Sequence, residues 1–148
     1  MRTIPVMQLS WTWNAVLSAC FAGATAVIAK MGLAGINADL ATLVRTAFVL
    51  LFLAGVFLAL HGMPSVGQLS AKVLAFLALS ALSTALSWLF YYRAIQVGPV
   101  AGVAAIDKGS IIVTAILAAV LLGEALTIRV IGGAVLLSAG LWLMTTRA

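Results

Sequence analysis

Residues 98–123 read GPVAGVAAIDKGSIIVTAILAAVLLG, an apolar segment with an aspartate and a lysine inside it. A helix opened by Pro99 and running to Leu122 would be ~35 Å long at a rise of ~1.5 Å per residue, enough to cross a bilayer. Asp107 and Lys108 fall within about one turn of its midpoint. A charge at such depth costs roughly 2.5–3.5 kcal/mol on insertion scales, so both are expected to face protein or water rather than lipid. Adjacent residues point about 100° apart on a helix, so the two side chains are expected to need partners elsewhere rather than cancel one another. Asp107, Ser110 and Thr114 share an i, i+3, i+7 stripe, read as the wall of a central cavity. The plainer alternative is a buried ion-pair network that only fixes helix packing.

Composition places the whole chain in a membrane. Of 148 residues, 65% are hydrophobic and 7% charged, against about 25% charged in soluble domains. Such a chain cannot cover a water-facing surface. The net charge of +5 does not signal nucleic acid, because the eight Lys and Arg are scattered singly and form no basic patch. Cys20 is the sole cysteine and has no internal disulfide partner. Leu17 to Cys20 match a lipobox, but the apolar run continues through Phe21, Ala22 and Val27, unlike the polar tether of a lipoprotein, and Gln8, Thr12 and Asn14 interrupt the run before it. No metal-ligand cluster, phosphate loop or nucleophile elbow is present, so neither cofactor nor enzymatic activity is expected. His61, beside Gly62 and Pro64, is read as a loop residue.

The fold expected is an all-α integral membrane protein with five transmembrane helices, approximately residues 9–29, 40–60, 73–92, 99–122 and 128–146, in one domain over 1–148. The first belongs to a stretch of 27 residues without a charge, 3–29, with Trp11 and Trp13 placed as an interfacial belt. Asn14, Ser18 and Thr25 share one face of it, lining a cavity or bonding a neighbouring helix, while Ala15, Ala19 and Gly23 form a small-residue ridge. Lys30 closes the span, and Asn37 or Asp39 caps the next. Arg45 enters the second span by roughly 9 Å from Asp39, either snorkelling outward or turning inward to an acid such as Asp107. In the third, Ser80, Ser83, Thr84, Ser87 and Tyr91 gather five hydroxyls on one helical face, read as the wall of a polar cavity. Trp88, Tyr91 and Tyr92 form its aromatic belt, with Arg93 as headgroup anchor. Gly123 to Thr127 make a turn with Thr127 as N-cap, and Gly132, Gly133 and Ser138 flatten one side of the fifth span, whose far interface Trp142 and Arg147 mark.

Residues 88–144, WLFYYRAIQVGPVAGVAAIDKGSIIVTAILAAVLLGEALTIRVIGGAVLLSAGLWLM, resemble the C-terminal part of an EamA repeat of the drug/metabolite transporter superfamily. AKMGL at 29–33 and NADLATLVRTAFVL at 37–50 resemble its earlier part. The most specific elements are Arg93 with Ala94, Gly98 with Pro99, Ile106 to Lys108, and Leu122 to Glu124 with Leu126. Larger family members are similar to two such repeats in inverted tandem, whereas this chain holds one. The resemblance implies a secondary transporter, exporting a small metabolite or drug from a midplane site between spans one, three and four, in a bacterial cytoplasmic membrane. Likeness to the small multidrug resistance proteins is weaker, because their first-helix glutamate has no counterpart here.

With five spans, Arg2, Lys72 and Arg129 lie on one side and Lys30, Arg93 and Arg147 on the other. That balance gives the positive-inside rule little to act on, so insertion in both orientations and an antiparallel homodimer are expected, one repeat reproducing the inverted pair. The competing arrangements are a single orientation with a parallel dimer, or a non-transporting subunit that packs against an unlike membrane protein.

Overall fold

The computed structural model describes residues 10–63, 67 and 69–146. Arg2, Gln8, Pro64 and Arg147, which entered the sequence reading, lie outside them. Five helices are long and apolar enough to cross a membrane, as expected, and the described residues contain no strand. The chain divides into two compact units, Met1–Gln96 and Val97–Ala148.

The first unit is built from α1 (Trp11–Gly32), α2 (Ala38–His61) and α3 (Ala71–Val97). Long runs of Leu, Ala, Val and Phe without proline propagate these helices, and side-chain caps start them. Ser10 accepts from the Trp13 amide at 3.4 Å, and Asn37, rather than Asp39, accepts from the amides of Asp39 and Leu40 at 2.8 and 3.2 Å. Ser70 accepts from Val73 at 3.3 Å. Gly62, at φ 76°, ends α2 in a conformation that disfavours other residues.

At one end the three helices are tied by polar groups. The ammonium of Lys30 in α1 donates to the Ile95 and Gln96 carbonyls of α3 at 2.5 and 3.0 Å, and Gln96 Nε2 donates to the Ile36 carbonyl at 2.7 Å. The last carbonyls of a helix have no partner within it, and a cation there complements the helix dipole. Arg93 of α3 grips Asp39 of α2 with two bonds of 2.7 Å, Nε to Oδ1 and Nη2 to Oδ2. The headgroup anchor expected at Arg93 is therefore committed to a neighbouring helix, and Lys30, expected to close the first span, lies inside α1 and caps α3. Buried beside these contacts are Leu33, Ala38, Thr42 and Tyr92, with Ile95 fully enclosed. Elsewhere residues 11–24, 50–63 and 71–87, wherever described, are exposed.

The second unit holds α4 (Val100–Lys108), α5 (Ser110–Leu117), a wide π turn (Ala118–Leu122) and α6 (Ile128–Thr145). The span expected over 99–122 forms as Val100–Leu122, with one locally tightened turn inside it. Its hydrogen bonding is interrupted at Gly109, although the backbone there keeps helical angles of φ −58° and ψ −20°. The Gly109 amide donates to Ile106 O at 2.9 Å and the Ile112 amide to Gly109 O at 3.0 Å, both i→i+3 bonds of a tightened turn. A Cβ at Gly109 would meet Ile106 O at 2.9 Å and Leu141 Cδ1 at 3.6 Å, so the missing side chain permits both the tight turn and the approach of α6. Gly102 and Ala105 are buried on α4, which packs against α6. After the π turn, Gly123 at φ 71° reverses the chain, with the Glu124 amide returning to Ala118 O at 3.2 Å. Thr127 caps α6 as expected, accepting from Val130 at 3.3 Å.

Lys30→Met preserves the length and apolarity of the stem but strands two helix-end carbonyls. Hydrogen bonds to charged groups contribute about 2 kcal/mol each, so thermal unfolding in detergent should begin at a clearly lower temperature for this variant than for wild type. Lys30→Arg should recover most of the loss.

Candidate functional site

Asp107 and Lys108 close α4, immediately before the interruption at Gly109. Lys108 Nζ lies 3.3 Å from Asp107 Oδ2, with side chains 53% and 37% exposed respectively. The two neighbours in sequence do touch, contrary to the expectation drawn from helical directions, though one contact does not satisfy either group. The 100° between adjacent Cα–Cβ directions is bridged by the four-carbon lysine stem, which is long enough to curl back. The pair is electrically neutral as a unit, yet each partner keeps open valences: further N–H donors on lysine and further lone pairs on aspartate. A substrate carrying a carboxylate or an ammonium could replace the internal contact with its own. Ser110 and Thr114 follow on α5, both exposed.

The hydroxyl face of α3 is exposed at Ser80, Ser83, Thr84 and Ser87. Ser83 Oγ donates to Leu79 O at 3.1 Å and Thr84 Oγ1 to Ser80 O at 3.0 Å, so the donors are satisfied along the helix while oxygen lone pairs remain for an outside partner. Tyr91 lies at the buried end of this row, its ring 6.3 Å from that of Tyr92. On α1, Asn14 Nδ2 donates to Ser10 O at 3.4 Å and Ser18 is exposed.

Arg45 belongs to a different feature. An open cleft of about 880 Å³ is walled by Thr25 and Ile28 of α1, by Val44, Arg45, Phe48 and Phe52 of α2, and by Tyr92 of α3. Thr25 Oγ1 is turned to Phe21 O at 2.8 Å, which leaves the walls almost wholly apolar. The Arg45 guanidinium carbon stands 4.3 Å from the centroid of Trp88 and 5.7 Å from that of Tyr92, and its Nη1 is buried without a hydrogen-bond partner. Within its own unit the arginine is held by π faces. Trp88 and Tyr92, assigned to an interfacial belt, are the platform. Their i, i+4 spacing was the available signal, since it stacks two aromatic rings on one face of a helix.

The EamA-like transporter family model matches residues 9–146. An uncharacterized transporter in the cobO 3' region of a Sinorhizobium species is 42% identical over 138 residues, covering 93% of this chain and 98% of the relative. No solved structure shows a significant match.

A buried donor without an acceptor detracts from stability, and apolar replacement of such a group is often neutral or favourable. Arg45→Met should therefore unfold at or above the wild-type temperature, whereas Arg45→Ala, which also removes the stem packed along the cleft, should unfold below it. Thermal scans of the two variants in the same detergent check this.

Proposed function

Because the chain belongs to the EamA-like transporter family, we propose that it is a secondary transporter that exports a small metabolite or drug by alternating access, working as a homodimer in a bacterial cytoplasmic membrane. Family membership points to transport rather than catalysis. The observation that carries the reading is the Asp107–Lys108 pair, half exposed at an interruption in a membrane-spanning segment. Charged groups inside a spanning segment are costly against lipid and mark substrate and ion pathways in transporters. Asp107 is the proposed coupling group and Lys108 its counter-charge, with Ser110 and Thr114 continuing the polar stripe.

Homodimerisation is supported by surfaces that the chain leaves uncovered. Gly23 on α1 and Gly132 and Gly133 on α6 have nothing within 4 Å of a built Cβ. Small residues let helices approach closely in a membrane. The hydroxyl oxygens of Ser83 and Thr84, whose donors are already bonded within α3, can still accept from a neighbouring helix. A second copy, inserted oppositely, would provide both in the inverted arrangement common to these transporters.

Two measurements bear on this. In liposomes loaded with a bacterial metabolite extract and given a pH gradient, mass spectrometry should detect release through wild type and at least a tenfold loss with Asp107→Asn, the variant still inserting and dimerising; undiminished release would remove Asp107 from the mechanism. With Cys20→Ser as background, single cysteines at Ser65 or after Ala148 should each react with impermeant reagents from both sides of intact cells' membranes. Reaction from one side alone would exclude dual insertion.

A further inference from the structure

The cleft between α1 and α2 holds one formal charge that nothing in its own unit neutralises. Asp39 is the acid of the first unit, and both its oxygens are engaged by Arg93. Lys30 is spent on the carbonyls of α3. Arg45, seven residues beyond the start of α2 and so ~10 Å along it, is left with two aromatic faces and an unsatisfied Nη1. Aromatic faces attract a guanidinium from above its plane but accept none of its in-plane hydrogen bonds. What such an arginine lacks is an acceptor with negative charge, and carboxylates and phosphates match its fork of donors. Around it lies apolar wall, Ile28, Val44, Phe48 and Phe52 among it, in a space of about 880 Å³. That volume falls in the range of ~300–1,000 Å³ usual for small-molecule sites.

We infer that this cleft binds an amphipathic anion, its carboxylate or phosphate head on Arg45 and its apolar body along α1 and α2. The anion can come from solution, as a transported solute, or from the bilayer, as an acidic phospholipid. In the first case the inference rests on the transporter reading and names its substrate class.

Trp88, beneath the guanidinium, is a built-in reporter. With Trp11, Trp13 and Trp142 changed to Phe, the protein in phosphatidylcholine nanodiscs is titrated with 4-phenylbutyrate, 4-phenylbutanol and 4-phenylbutylamine while Trp88 emission is followed. The anion should half-saturate the signal at a concentration at least tenfold below the other two. Arg45→Met should abolish that preference, and Arg45→Lys, which keeps the charge, should retain part of it and serves should the methionine variant lose helical circular dichroism. Equal response to all three probes, or an anion preference that survives Arg45→Met, overturns the site. Phosphatidylglycerol added to the discs raises the half-saturation of wild type, and not of Arg45→Met, when lipid is the occupant; it leaves both unchanged when the occupant is a free solute, and the site stands in either case. No gradient is applied, so undiminished transport by Asp107→Asn would end the coupling role of that residue without touching this result.

Discussion

The carbonyls of Ile95 and Gln96, at the C-terminal end of α3, set the architecture of the first unit. The last carbonyls of a helix have no partner within it, and a cation placed there complements the helix dipole. Lys30 meets both from α1, and two residues earlier on α3 Arg93 meets Asp39 at the start of α2. The signs follow the helix dipoles: cation at a C-terminal end, anion in a first turn. Three helices are thereby joined at one end around Ile95, while residues 11–24 and 71–87 stay exposed. The open cleft is a consequence. Helices fixed at one end and uncovered along the remainder leave a space, and Arg45 lies in its wall.

Spans were legible in the sequence because their signal is local. Each is a predominantly apolar run, and the caps at Asn37 and Thr127 precede their helices by a fixed offset. Polar pairing was less legible because it is set by tertiary geometry. Arg93 and Asp39 are 54 residues apart, and Lys30 and Ile95 are 65 apart, so nothing in the spacing announces either contact. Asp107 with Lys108 failed for the opposite reason: the separation was so short that helical directions were weighed without the reach of the lysine stem. The tight turn at Gly109 was not legible in the apolar run around it, and it is permitted by the absent side chain, since a Cβ would stand 2.9 Å from the Ile106 oxygen.

Two kinds of charge in this chain bear on binding. Asp39 with Arg93 and Asp107 with Lys108 are internal pairs, each neutral as a unit. Arg45, among the described residues of its unit, is a cation held on aromatic rings without an acid partner. A neutral pair can be carried into a bilayer at moderate cost and opened by a ligand that offers charges of its own. A lone cation is more demanding, since π faces return only part of its lost hydration, about 0.5–2 kcal/mol. The proposed anion in the cleft would answer that demand, as the proposed coupling role answers the exposure of Asp107.

Exposure of the Asp107–Lys108 pair bears on what must surround it. At 37% and 53%, the two side chains retain too much open surface for contact with acyl chains, where each open lone pair or N–H would go unmet. Water or protein must lie against them. A larger transporter of this architecture would supply that cover from its second repeat. For the proposed homodimer, the ridges at Gly23, Gly132 and Gly133, open to 4 Å, are where a second copy could approach most closely. Two identical subunits related by a twofold axis in the membrane plane would place like ridge against like ridge, since an isologous interface pairs each surface with itself. In the proposed inverted pair that close approach would be set by the small residues of both copies at once.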